Sequence, residues 1–188
     1  MPTCSRSSRA KTASAAAYRN AAAGSGTPFM RILMILIPDR SDRPLLQIGQ
    51  VIEPYYLFRD SGAEVVFASP SGGAPISTAG GQDQRAAVRR LRRDHRAREA
   101  LAETLTLDQV SAEDFQAAFC IGSSELIEAG GDHAVCLLTA QLLEAGKPVA
   151  MLSDNHGVRL LITGNAPRPA AQALLGAISG SSQESTGQ

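Results

Sequence analysis

The segment RILMILIP, Arg31 to Pro38, is a short unbroken apolar run closed by a proline. With no polar alternation it has no face to give to water, so it suits a strand covered on both sides, as in a parallel sheet. Such a strand needs helices above and below it, and the sequence supplies the alternation. GQVIEPYYLFRDSG sets Val51, Ile52, Tyr55, Tyr56 and Phe58 at near-helical spacing and ends on Gly62. Pro54 is expected in the first turn of that helix, where a missing N–H costs least. Ala63 to Pro70 reads as a second strand, stopped by Pro70 and the pair Gly72–Gly73.

Ser77 to Gln84 reads as a loop, Arg85 to Leu105 as one helix, and Asp114 to Gly122 as a third strand. Asp132 to Ala145 reads as a helix ending at Gly146, Val149 to Leu152 as a fourth strand, and Pro169 to Ile178 as a last helix. Val158 to Thr163 fits two templates. Val158, Leu161 and Ile162 share a helical face, whereas Val158, Leu160 and Ile162 share a strand face.

Strands alternating with helices predict an α/β fold: a three-layer sandwich of flavodoxin-like type, its mostly parallel sheet covered on both faces. In such sheets ligands bind beyond the carboxyl ends of the strands. Those ends are Pro38–Asp39, Ser69–Pro70, Gly122–Glu125 and Ser153–His156.

A chain of 188 residues is enough for one domain with a full core. Residues 30–179 are expected to form it, with a loose polar tail at 180–188. Residues 1–29 are Ala, Ser, Arg and Gly with little to bury, and disorder is expected there. Their composition fits a targeting segment or a stretch upstream of a true start at Met30, and the second is favoured. They hold Arg6, Arg9, Lys11 and Arg19 and no acid, so the remainder has 14 basic against 18 acidic residues. A mildly acidic body argues against nucleic acid and anionic lipid as partners.

The cysteines, Cys4, Cys120 and Cys136, are odd in number and irregular in spacing. They form neither a disulfide framework nor a zinc site, which suits a reducing cytoplasm. No apolar run is long enough to span a membrane.

Beyond periodicity, EPYYLFRDSGAEVVFASPSGGAPIS, LAETLTLDQVSAEDFQAAFCIG and LLEAGKPVA together resemble the ThiJ/PfpI family, nearest its glyoxalase III-type and chaperone-like branch. The likeness runs from about Arg31 to Ala150. It implies an α/β sandwich that is usually a dimer. It also implies a site with a cysteine on a strand-to-helix elbow, a glutamate on the helix after the first strand, and a Gly-Gly-His-Gly loop. Here the glutamate position holds Gln50. The loop reads Gly122-Ser123-Ser124-Glu125. The elbow cysteine falls on Ser153 by ungapped count, or on Asn155 if His156-Gly157 is matched to the family's His-Gly. Neither is a thiol.

Family chemistry requires a thiolate. A serine in its place needs a base, and the Gln50 amide takes up no proton near neutrality. Ser153, Asp154, His156 and Glu125 are therefore the candidate catalytic residues, an acid–base site of hydrolase or lyase type on a small carbonyl-containing or polar metabolite. Gln50, Gly122, Ser123, Ser124 and Asn155 are the candidate ligand contacts. The alternatives stay open: SDNHG is equally a plain turn, and the chain a binding, chaperone-like or regulatory homodimer without catalysis.

No metal or other cofactor is implied. Cys120 and Cys136 read as structural thiols, and His95 and His133 as surface residues. The arginine run from Arg85 to Arg98 could hold phosphate. Without interleaved aromatics, a solvated face or dimer contact is favoured.

Overall fold

The structure is a computed structural model describing residues 30–38, 46–77, 85–122, 133–152, 162–164 and 167–184. Six strands form one sheet: β1 (Arg31–Ile37), β3 (Glu64–Ser69), β5 (Leu105–Thr106), β6 (Ala117–Gly122), β7 (Val149–Leu152) and β8 (Ile162–Gly164). Their order is β5-β3-β1-β6-β7-β8, and every pairing is parallel. A two-stranded parallel pair, β2 (Leu46–Gln47) with β4 (Ile76–Ser77), stands apart from it. The helices are α1 (Ile48–Asp60), α2 (Arg85–Arg93), α3 (His95–Ala102), α4 (His133–Glu144) and α5 (Pro167–Glu184).

β1 shows why its sequence had to be a central strand. Ile32, Met34 and Leu36 face one way, packing with α1, α5 and residues Leu91 and Ala97 of α2 and α3. Leu33, Ile35 and Ile37 face the other, packing with Val135, Leu138 and Leu142 of α4. Every residue from Ile32 to Ile37 is buried, so alternation of faces leaves no place for a polar side chain. Aromatic pairs join helix to sheet: Tyr55 stacks on Phe67 at 5.5 Å, and Phe58 meets Phe119 edge-on at 5.4 Å. Geometries of this kind add about 1 kcal/mol beyond area burial. The three-layer α/β sandwich is therefore as expected.

Four local expectations are corrected. Pro54 lies inside α1, not in its first turn, because the helix starts at Ile48. The helix expected over Arg85–Leu105 is two helices. Asp94 breaks it in an extended conformation and accepts a hydrogen bond from the Ala97 N–H at 3.1 Å, capping α3. Leu105 pairs with Ala68 at the sheet edge instead. The third strand starts at Ala117, after a short 3₁₀ turn over Ala112–Asp114. Helix α5 runs on to Glu184, past the expected end at Ile178.

The ambiguous segment is settled at its end. Ile162–Gly164 is a strand, parallel to β7, with Leu152 opposite Gly164. The rest of that segment, residues 158–161, lies outside the described residues, as do 1–29.

Candidate functional site

The carboxyl ends of β1, β6 and β7 lie side by side, because Ile37 is paired with Gly122 and Ile121 with Leu152. Gly122 is the one predicted contact residue on this edge that the structure describes. Its φ is +137°, which side-chain-bearing residues rarely adopt. A Cβ there would stand 1.9 Å from the Ile37 carbonyl oxygen. Only glycine allows the two strand ends to approach this closely.

The neighbouring strand end is also closed down. Ser69, buried at the end of β3, donates from Oγ to the Gly73 carbonyl at 2.9 Å, so SPSGG is a turn, as read from the sequence. The Gly73 N–H donates to the Thr104 carbonyl at 3.2 Å, tying that turn down beside β5.

Gln50 stands in the first turn of α1 and is half-buried. Its Oε1 accepts from the Gln47 N–H at 3.3 Å, satisfying a backbone donor at the helix start. Gln47 is itself held by pairing with Ser77 across the β2–β4 pair. Pro54 bears no N–H, so the Gln50 carbonyl receives no helical bond from the residue four positions on. Thus the side chain at the position where the ThiJ/PfpI resemblance expects a glutamate is a neutral amide engaged in capping its own helix.

Ser123, Ser124, Glu125, Ser153, Asp154, Asn155 and His156 lie outside the described residues. In sequence the first three follow Gly122 and the last four follow Leu152, the final residues of the neighbouring strands β6 and β7.

The described thiols offer no nucleophile on this edge. Cys120 is completely buried in β6, and burial pushes its pKa up to about 12. Cys136 is half-buried on α4. No group of three or more potential metal ligands occurs among the described residues.

A second cluster was missed in the sequence. Arg90 of α2 lies over the Tyr56 ring at 3.5 Å and makes two contacts to the Asp60 carboxylate, at 2.9 and 3.4 Å. The Tyr56 hydroxyl beneath is buried, with the Asp94 carboxylate as its nearby acceptor. Burial first, then the nearby Asp94 carboxylate, pushes its phenol up to about 12. Glu53, Tyr56, Asp60, Arg90 and Arg168 line a cleft between α1, α2 and α5. The available signal was the 53–56–60 spacing, which puts these residues on one helical stripe.

A parallel α/β sandwich with its candidate site at the strand carboxyl ends defines the general class. The particular fold is of ThiJ/PfpI type, as comparison with solved structures shows. A ThiJ/PfpI domain protein from Brachyspira murdochii superposes with a TM-score of 0.54 and 15% identity, over 80% of this chain and 96% of that one. Rapid Encystment Protein 24 kDa of Francisella tularensis gives 0.53 and 16%, over 66% of this chain and 58% of that one. Glyoxalase III of Candida albicans gives 0.50 and 14%, over 65% and 56%. The chain thus spans somewhat more than half the length of the Francisella and Candida proteins. No family model and no curated protein sequence matches it.

Proposed function

We propose that this chain is a small-molecule-binding protein of ThiJ/PfpI type that has given up thiol chemistry. The observation that carries this is Gln50. An enzyme of the resembled kind needs a titratable carboxyl at that position to hold and protonate its nucleophile. A capping amide does neither. The ligand would sit at the strand ends beside Gly122, held by Gln50, Ser123, Ser124 and Asn155, and would be a small polar or carbonyl-containing metabolite. A cytoplasmic homodimer without metal or cofactor belongs to the same proposal: the dimer comes from the ThiJ/PfpI resemblance, the compartment and the lack of a metal from cysteine number and spacing.

Native mass spectrometry against pools of polar metabolites tests this directly. A mass increment that is lost on denaturation is expected. An increment that survives denaturation would make the protein a covalent catalyst and overturn the proposal.

A second role, acid–base catalysis, is supported by chain order: Ser153, Asp154 and His156 follow β7 in sequence, Glu125 follows β6, and the two strands are neighbours. Carboxylates and an imidazole sharing a dry cleft displace one another's titration, whereas solvated turn residues do not. NMR titration of His156 before and after Glu125→Gln separates the two. A displaced midpoint that moves with the substitution supports catalysis. An ordinary midpoint that ignores it leaves binding alone.

A further inference from the structure

Half of the positive charge from Met30 onward lies between Arg85 and Arg98. That segment has seven arginines and one acid, leaving 7 basic against 17 acidic residues elsewhere. Such segregation does not arise from solubility alone, which mixed charge serves as well.

The break at Asp94 turns the segment into the wall of a groove across α2 and α3. The groove is shallow and open to solvent, its lining is Ala86, Arg89, Arg90, Arg93, Asp94, His95 and Arg96, and its volume is about 660 Å³. The lining groups are not equivalent. Arg90 is committed to Asp60 and to the Tyr56 ring. Asp94 is committed to the Ala97 N–H, and His95 Nδ1 to Glu99 at 3.0 Å. Arg89, Arg93 and Arg96 have no ion pair among the described residues. Arg89 and Arg93 stand one helical turn apart, about 6 Å along the axis. Arg96 joins them from the first turn of α3.

We propose that this groove binds a diphosphate group. Three guanidiniums without an ion pair among the described residues match the roughly three negative charges of two linked phosphoryl units near neutrality. The fork of donors on each guanidinium suits phosphoryl oxygens better than a point charge would. A compact anion is favoured over a polymer because carboxylates fence the groove: Asp60 beside Arg90, and Glu99 beside His95. Those carboxylates, and the acidic remainder of the chain, repel an extended phosphate backbone. No aromatic face is open for a base, since Arg90 covers the ring of Tyr56. The diphosphate could be free or belong to a nucleotide. None of its lining residues is among the strand-end candidates.

Calorimetric titration of the full chain with inorganic pyrophosphate, and separately with ADP, tests the proposal at fixed ionic strength. Saturable binding of one equivalent is expected. Equal affinity for the two probes identifies the free anion as the ligand, and tighter ADP binding identifies a nucleotide. Arg89→Gln with Arg93→Gln should weaken binding by about tenfold or more. Arg92→Gln with Arg98→Gln removes the same charge from exposed arginines outside the groove and should leave affinity within about twofold. Equal losses in the two variants would mean a diffuse field and no site. Tighter binding of a single-stranded oligonucleotide than of either probe would contradict a compact ligand. An NMR titration of the unaltered chain with pyrophosphate needs no variant to fold. The side-chain N–H signals of Arg89, Arg93 and Arg96 should move, with those of Arg92 and Arg98 still; uniform or absent shifts overturn the site.

Discussion

Ile37 and Gly122 are partners on adjacent parallel strands, and a single methyl group on Gly122 would lie 1.9 Å from the Ile37 carbonyl oxygen. The edge that presents the candidate site therefore depends on the absence of one side chain. The nearest atoms are backbone at the end of the central strand, and neither strand end can yield without disturbing the core beneath it.

Gly122→Ala should thus be severe, costing about 3 kcal/mol or more from clash and positive φ together. Gly146→Ala is the control. Its φ is +69°, but nothing stands within 4 Å of an added Cβ. Only the left-handed conformation is penalised there, about 1 kcal/mol. Urea denaturation of the two variants measures the difference. Similar losses would mean that the close approach at Gly122 relaxes freely.

Tyr56 predicts an alkaline dependence of stability. Its folded pKa is raised from 10.0 to about 12, so between those values the folded chain keeps a proton that the unfolded chain releases. Stability from this group is full below pH 10 and falls as pH rises toward 12. Tyr56→Phe should flatten that fall. It also deletes a buried hydroxyl that lies against the Asp94 carboxylate, so at neutral pH stability should change by no more than about 1 kcal/mol. Denaturation of both proteins across pH 9 to 12 checks the sign.

Asp94→Ala removes the cap of α3 and should cost about 1 kcal/mol. Asp94→Asn keeps the acceptor and should recover most of that loss. If the Asn variant is as weak as the Ala variant, charge rather than capping governs the position, and the titration of Tyr56 should shift with it.

Cys120 should resist alkylation at pH 8 in the folded chain. A thiol with a pKa near 12 is ionised to only about one part in ten thousand there, and its atoms are out of reach of solvent. Peptide mapping after brief iodoacetamide treatment should find Cys120 labelled only when denaturant is present.

The layers of this fold were legible because burial on both faces leaves its mark on composition. Ile32 to Ile37 could serve only as a central strand, and Gly62 and Gly146 stopped their helices where expected. What escaped depended on contacts distant in sequence. Pro54 belonged by propensity in a first turn, but pairing of Gln47 with Ser77 starts α1 earlier. The arginine run reads as one continuous helix by propensity, but Asp94 favours a cap over a helix interior and divides it. The strand carboxyl ends were correctly identified as one edge of the sheet. The role of Gln50 as a cap was not visible, because Gln-x-x-Gln is a weaker signal than the usual Ser or Thr followed by Glu. The Tyr56–Arg90–Asp60 cluster joins two helices, and a spacing on one helix alone does not reveal the other.

The most direct test of the central claim, that nucleophilic chemistry of the glyoxalase III type is absent from this chain, is incubation of the pure protein with methylglyoxal and measurement of D-lactate. No turnover above the protein-free rate is predicted, with or without Ser153→Ala. Cofactor-independent D-lactate formation that disappears in the Ser153→Ala variant would contradict the claim and make Ser153 a working nucleophile.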